Sequence, residues 1–76
     1  MKHQLQIINQ YLLHNDLLDK VLSVGGNNTR CRVIMDFSSW KQIFKFTTTI
    51  KKYTQCQVSL RINKSNNCAI INFKRG

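Results

Sequence analysis

Between Cys56 and Lys74, apolar and polar residues alternate along two segments separated by Lys64-Ser65-Asn66-Asn67. Side chains of an extended strand point to opposite faces with a period of two. Val58, Leu60 and Ile62 therefore share one face of the first segment, and Ala69, Ile71 and Phe73 share one face of the second. An antiparallel hairpin pairing Ile62 with Ala69, Leu60 with Ile71 and Val58 with Phe73 places all six on the same side. A slip of two residues preserves that facing and a slip of one destroys it. Asparagine tolerates positive φ, which suits the break to a turn. This hairpin gives the chain a sheet with one apolar face, and the preceding residues must cover it.

The upstream segments fit that requirement. From Thr29 to Phe37 the parity sets Cys31, Val33, Met35 and Phe37 on one face and Arg30, Arg32, Ile34 and Asp36 on the other, as in a half-buried strand. Ser39-Trp40-Lys41-Gln42 has the form of a capping box and predicts a helix starting at Trp40. Its apolar positions Trp40, Ile43, Phe44, Thr47 and Ile50 recur at three and four residues and are expected to face the core, with Phe46 and Tyr53 at the margin. Three threonines at 47 to 49 lower its intrinsic helicity, so packing must hold it. Residues 3 to 24 carry Leu5, Ile8 and Leu12 on one helical row and Ile7, Tyr11, His14, Leu18 and Val21 on the next. That predicts one bent helix or two short ones, divided where Asn15 or Asp16 could cap a helix at Leu17. Gly25-Gly26 is expected to close it. The sum is a single α+β domain over residues 1–76, a small two-layer sandwich in the order helix-strand-helix-strand-strand with a C-terminal β-hairpin and at least three strands.

Size and composition narrow the class. A chain of 76 residues supports one domain and buries about 60% of its unfolded surface on folding. With 42% hydrophobic residues, it has enough apolar material for a core, which argues against disorder. It has no run of eighteen apolar residues and no secretory leader pattern, so a soluble, cytoplasmic protein is expected. Cys31, Cys56 and Cys68 are odd in number and lack a Cys-x-x-Cys pair, and His3 and His14 are distant in sequence. These features favour reduced thiols, two of them in the core, over a zinc site or a disulfide framework. The absence of proline and glutamate, with frequent Asn, Ile and Lys, points to an A/T-rich genome such as that of a phage, virus or organelle.

Charge supplies the functional expectation. The formal net charge is +9, and the three acids, Asp16, Asp19 and Asp36, all precede Phe37. Phe37 to Gly76 therefore carries eight Lys or Arg and no carboxylate side chain. On the second helix Lys41, Lys45 and Lys52 follow at i, i+4 and i+11 opposite the apolar positions, with Lys51 nearby, forming a basic ridge. On the outer face of the sheet, parity places Arg30, Arg32, Arg61 and Lys74 among Gln57, Ser59 and Asn72. If helices cover the apolar face, these two surfaces lie on opposite layers. An ordinary solubilising face mixes signs, whereas Lys41 and Lys45 repel each other by a few tenths of a kcal/mol, which favours an external anion.

The expected partner is nucleic acid, bound through its phosphate backbone with weak sequence specificity, double-stranded or structured RNA ahead of DNA. A sheet that reads single strands presents aromatics outward, but Phe37 and Phe73 point inward by parity. Tyr53, Phe46 and Tyr11 remain as candidate stacking rings, and each fits marginal core better. The rival expectation is a phage- or virus-type inhibitor that docks on an acidic or nucleic-acid-binding site of a host protein. A membrane partner is not expected, because the basic helix commits its bulky apolar residues to the core. The broad apolar arc of the first helix would allow a homodimer. His14 and Asp36 could act as a base and its orienter in ribonuclease-type chemistry, with Lys41 or Arg61 on phosphate, but nothing in their spacing requires it. Gly25-Gly26-Asn27-Asn28 lacks the spacing and the lysine of a nucleotide-binding loop. No enzymatic activity, cofactor or metal is therefore expected.

Overall fold

A computed structural model describes residues 4–27 and 29–75, with Ser39 described by its backbone alone. The chain forms α1 (Gln4–His14), β1 (Val21–Gly26), β2 (Arg30–Asp36), α2 (Trp40–Thr54), β3 (Gln57–Asn63) and β4 (Cys68–Lys74), with 3-10 turns at Leu18–Lys20 and Phe37–Ser39. The α+β class, the two layers and the C-terminal hairpin are as the sequence predicts. The order gains a strand and becomes helix-strand-strand-helix-strand-strand.

The added strand lies where a helix was expected to continue to Val24, and the end of α1 explains the difference. Asp16 takes φ of +55°, the Leu17 N–H donates to the Leu12 carbonyl at 2.9 Å, and the Asp16 N–H donates to the Leu13 carbonyl at 3.4 Å. This is a Schellman closure with aspartate in the left-handed position usually taken by glycine, and Leu17 is buried in the core beside Leu12. No capped helix starts at Leu17; one 3-10 turn leads into β1. Gly25-Gly26 therefore closes no helix and ends a strand. At Gly26, φ is +127° and a Cβ would stand 2.2 Å from the Arg30 carbonyl oxygen, so the β1–β2 turn requires glycine there. The Asn27 carboxamide oxygen holds the same turn by accepting from the backbone N–H groups of Thr29 and Arg30.

All pairings in the sheet are antiparallel, in the order β1-β2-β4-β3. Since β2 and β3 both run antiparallel to β4, they are parallel to each other, and α2 is the crossover between them. The hairpin register is Val58↔Phe73, Leu60↔Ile71 and Ile62↔Ala69, the pairing that places all six apolar residues together. Continuing across β4, Cys31, Val33 and Met35 pair with Phe73, Ile71 and Ala69, so the inner face is apolar across three strands. In β1 one extra residue, Leu22, opposes a single step of β2 and bulges out to solvent.

Both helices cover this inner face. Ile8 and Leu12 of α1 and Ile43, Phe46 and Ile50 of α2 join Cys31, Val33, Met35, Ala69, Ile71 and Phe73 in one buried cluster. Phe46 links the layers, its ring centroid 5.2 Å from Tyr11 and 5.5 Å from Phe73. Here the helix face departs from expectation. Trp40 and Phe44 are 46% and 53% exposed, whereas Phe46, expected at the margin, is fully buried. The stripe Ile43, Phe46, Ile50 has the same three- and four-residue spacing as the stripe through Trp40 and Phe44, but it is rotated toward α1, where Tyr11 stacks on it. The Thr47, Thr49 and Thr54 hydroxyls bond back to the carbonyls of Phe44, Lys45 and Ile50, and it is the packing of Ile43, Phe46 and Ile50 in the core that holds this low-propensity segment helical. The capping role read for Ser39 falls on a side chain outside the described residues. Just before α2, the Asp36 carboxylate accepts from the Ser38 backbone N–H at 3.0 Å.

Candidate nucleic-acid interface

The register fixes the outer face of the sheet as four rows crossing the strands. Arg30, Lys74 and Gln57 lie side by side in the first row, and Gly25, Arg32, Asn72 and Ser59 in the second. Ser23, Ile34, Ile70 and Arg61 form the third, and Asp36, Cys68 and Asn63 the fourth. Opposite parity to the core cluster turns these side chains outward; Cys68 alone among them is buried, and Arg30, Arg32, Arg61 and Lys74 are exposed. Two like charges, Arg30 and Lys74, directly face each other across β2 and β4, a pairing that destabilises a sheet in isolation. The Arg32 Nε–H donates to the Asn72 carboxamide oxygen at 3.2 Å, which orients the guanidinium across β4 without neutralising it. The first two rows line an open depression of about 760 Å³. Asp36, the one carboxylate side chain on this face among the described residues, sits in the last row at the far end of β2 from Arg30. Its carboxyl is held below the ordinary range by the Ser38 backbone N–H and Ser38 side chain, with Lys20 adding a smaller effect. Asp36 is thus engaged with Ser38, at the far end of the strand from Arg30.

The second surface is α2. Lys41, Lys45, Lys51 and Lys52 are all exposed, and at 100° per residue Lys41, Lys45 and Lys52 form the row most nearly opposite the buried stripe. Next to that row lies one the sequence reading placed in the core: Trp40, Phe44 and Lys51 at i, i+4 and i+11. The Trp40 and Phe44 rings meet edge to face, with centroids 6.0 Å apart and planes at 84°, and the Lys41 ammonium lies 5.6 Å from the Trp40 ring centroid. Of the rings considered for stacking, Phe46 is core, Tyr11 is half-buried against it, and Tyr53 is 78% exposed at the C-terminal end of α2. The expectation that α2 keeps no bulky apolar side chain outside the core is therefore corrected.

Because both helices share the inner-face core, the lysine ridge and the arginine-bearing sheet face lie on opposite layers. Each of the eight basic residues singled out from sequence sits on one of these two exposed surfaces. The residues missed were Trp40 and Phe44; the signal available for them was the competing stripe Ile43, Phe46, Ile50, Thr54, which has the same period.

The structure does not bring together the residues considered for catalysis. His14 ends α1, exposed beside a cleft shared with Tyr11, Thr49 and Tyr53, and is not packed in an apolar stripe. Asp36 ends β2 on the opposite layer, engaged with Ser38. The three cysteines are unpaired and buried; Cys31 and Cys56 belong to the core cluster, matching the two expected there, and Cys68 lies outside it at the start of β4. Burial, and secondarily the neighbouring Cys56, pushes the Cys31 thiol up from its ordinary range and keeps it protonated at neutral pH. The Cys31 S–H donates to the Asn27 carbonyl at 3.1 Å. Among the described residues, no group of three or more His, Cys, Asp or Glu could hold a metal ion, and no helix is long and apolar enough to cross a membrane.

Comparison of the chain with protein-family models, curated proteins and solved structures finds no match.

Proposed function

We propose that this is a small non-enzymatic nucleic-acid-binding protein that grips the phosphate backbone through the α2 ridge and the outer sheet face, with RNA ahead of DNA. The observation that carries this reading is the pairing of Arg30 with Lys74 beside the oriented Arg32, in a region of the sheet without a carboxylate side chain. Such a cluster opposes folding unless an anion satisfies it, and guanidinium groups on a flat sheet suit forked contacts to phosphate. Three buried, unpaired cysteines fit a reducing, intracellular and cytoplasmic setting.

A salt series with generic RNA and duplex DNA tests the reading, using wild type and Lys41→Gln/Lys45→Gln/Lys52→Gln. Binding is expected to fall steeply with salt, with the slope of log K against log salt reduced by roughly one for each phosphate-contacting lysine removed. No binding to either nucleic acid at low salt contradicts it. A second reading, a phage- or virus-type inhibitor docking on an acidic or nucleic-acid-binding site of a host protein, draws support from Leu60 and Ile62. These are 38% and 43% exposed on the edge strand β3, flanking Arg61.

A further inference from the structure

The exposed aromatic row of α2 narrows the kind of nucleic acid. Two large rings placed in solvent lose the burial that usually justifies them, and Trp40 and Phe44 lie on the same helix that buries Ile43, Phe46 and Ile50. Their edge-to-face contact holds each ring against the other. They adjoin the row of Lys41 and Lys45, which has the same four-residue step, about 6 Å along the helix axis. Two exposed rings set nearly perpendicular to each other, each with its own face for a planar group and beside a line of cations, suit a ligand that alternates planar groups with anions. A duplex keeps its base faces inside the stack and offers such a surface only its phosphates.

We propose that the Trp40–Phe44 flank of α2 is a stacking platform for unpaired bases. The nucleic acid bound there is then a single strand, its bases against the two rings and its phosphates on Lys41 and Lys45. This rests on the nucleic-acid reading above and deepens it, assigning phosphate contacts alone to the sheet face and base contacts to the helix.

Trp40 is the chain's single tryptophan, so its emission reports on this site alone. The experiment titrates the full chain with an unstructured oligouridine, an RNA duplex of equal length, inorganic polyphosphate and polyglutamate. Occupancy is followed by the anisotropy of labelled ligands, and the site by Trp40 emission. The expected result is quenching by oligouridine and none by the duplex or polyphosphate at equal occupancy. Trp40→Leu and Phe44→Leu, which alter exposed positions and are checked for fold by circular dichroism, are expected to weaken oligouridine binding about tenfold and leave duplex binding unchanged. Trp40→Phe, which keeps a ring, should retain most of the affinity. Equal quenching by every polyanion, an unchanged affinity in Trp40→Leu, or a polyglutamate response matching that of oligouridine overturns the proposal. Nucleic-acid binding without a Trp40 response overturns the stacking site and leaves the broader reading standing, whereas no nucleic-acid binding at all overturns both.

Discussion

Replacing Phe46 with alanine removes the ring that joins Tyr11 to Phe73 and leaves a cavity where α1, α2 and the sheet meet. A loss of about 3–5 kcal/mol is expected, a large part of the stability of a domain this small. Phe44→Ala, two positions away on the exposed flank, is expected to stay within about 1 kcal/mol of wild type. Urea denaturation of the two variants checks this, and equal losses would show that the core stripe of α2 is misassigned. The spacing of Phe44 and Phe46 did not separate them, because each completes a run of three- and four-residue steps, Phe46 with Ile43 and Ile50 and Phe44 with Trp40, Thr47 and Ile50. What separates them is a partner more than thirty positions away: Tyr11 on α1 lies on the Phe46 side. By contrast, Arg30, Arg32, Arg61 and Lys74 could be placed correctly by counting, since strand parity leaves only two faces and the other one is apolar.

Among the elements, the hairpin of β3 and β4 was legible in its existence and its facing, because one sheet face must be apolar on both strands; the choice between registers two residues apart was not, since each keeps that facing, and the structure adopts Val58↔Phe73. The turn itself places Asn67 at φ of +51°, as its asparagines suggested. β1 was not legible. Leu17, Leu18 and Val21 continue the helical rows of α1, and the glycines that seemed to terminate a helix are the strand's own. The stop signal is Asp16 in the left-handed conformation, a role that aspartate fills less often than glycine or asparagine and that its sequence context does not mark. Asp16→Gly is therefore expected to stabilise the protein by up to about 1 kcal/mol, since glycine relieves the cost of positive φ while the Leu17–Leu12 closure is retained. The midpoint of a urea transition reads this directly. A loss of stability instead would show that the aspartate side chain, and not the backbone geometry, holds the end of α1.

At the scale of the whole molecule, charge and topology act together. A net charge of +9 on 76 residues repels itself, and the fold arranges that charge in two sheets of potential, one over α2 and one over the outer strands, separated by the shared core. One flat ligand cannot cover both. A flexible strand could pass from one to the other around the β3 edge, where Arg61 lies on the edge strand and Lys74 on its neighbour β4. That there are two surfaces followed from the sequence, because parity and helical period assign the lysines and arginines to different layers. That one of them carries rings did not, for the reason given at Phe44. The most direct measurement is amide chemical-shift mapping of the full chain with a short single-stranded RNA at low salt. The expected result is a set of perturbed amides along β2 and β4 around Arg30, Arg32 and Lys74, and along α2 from Trp40 to Lys52, all reversed by added salt. Perturbations confined to the cleft between α1 and α2, or none at saturating RNA, would contradict a phosphate-binding role for the acid-free half of the chain.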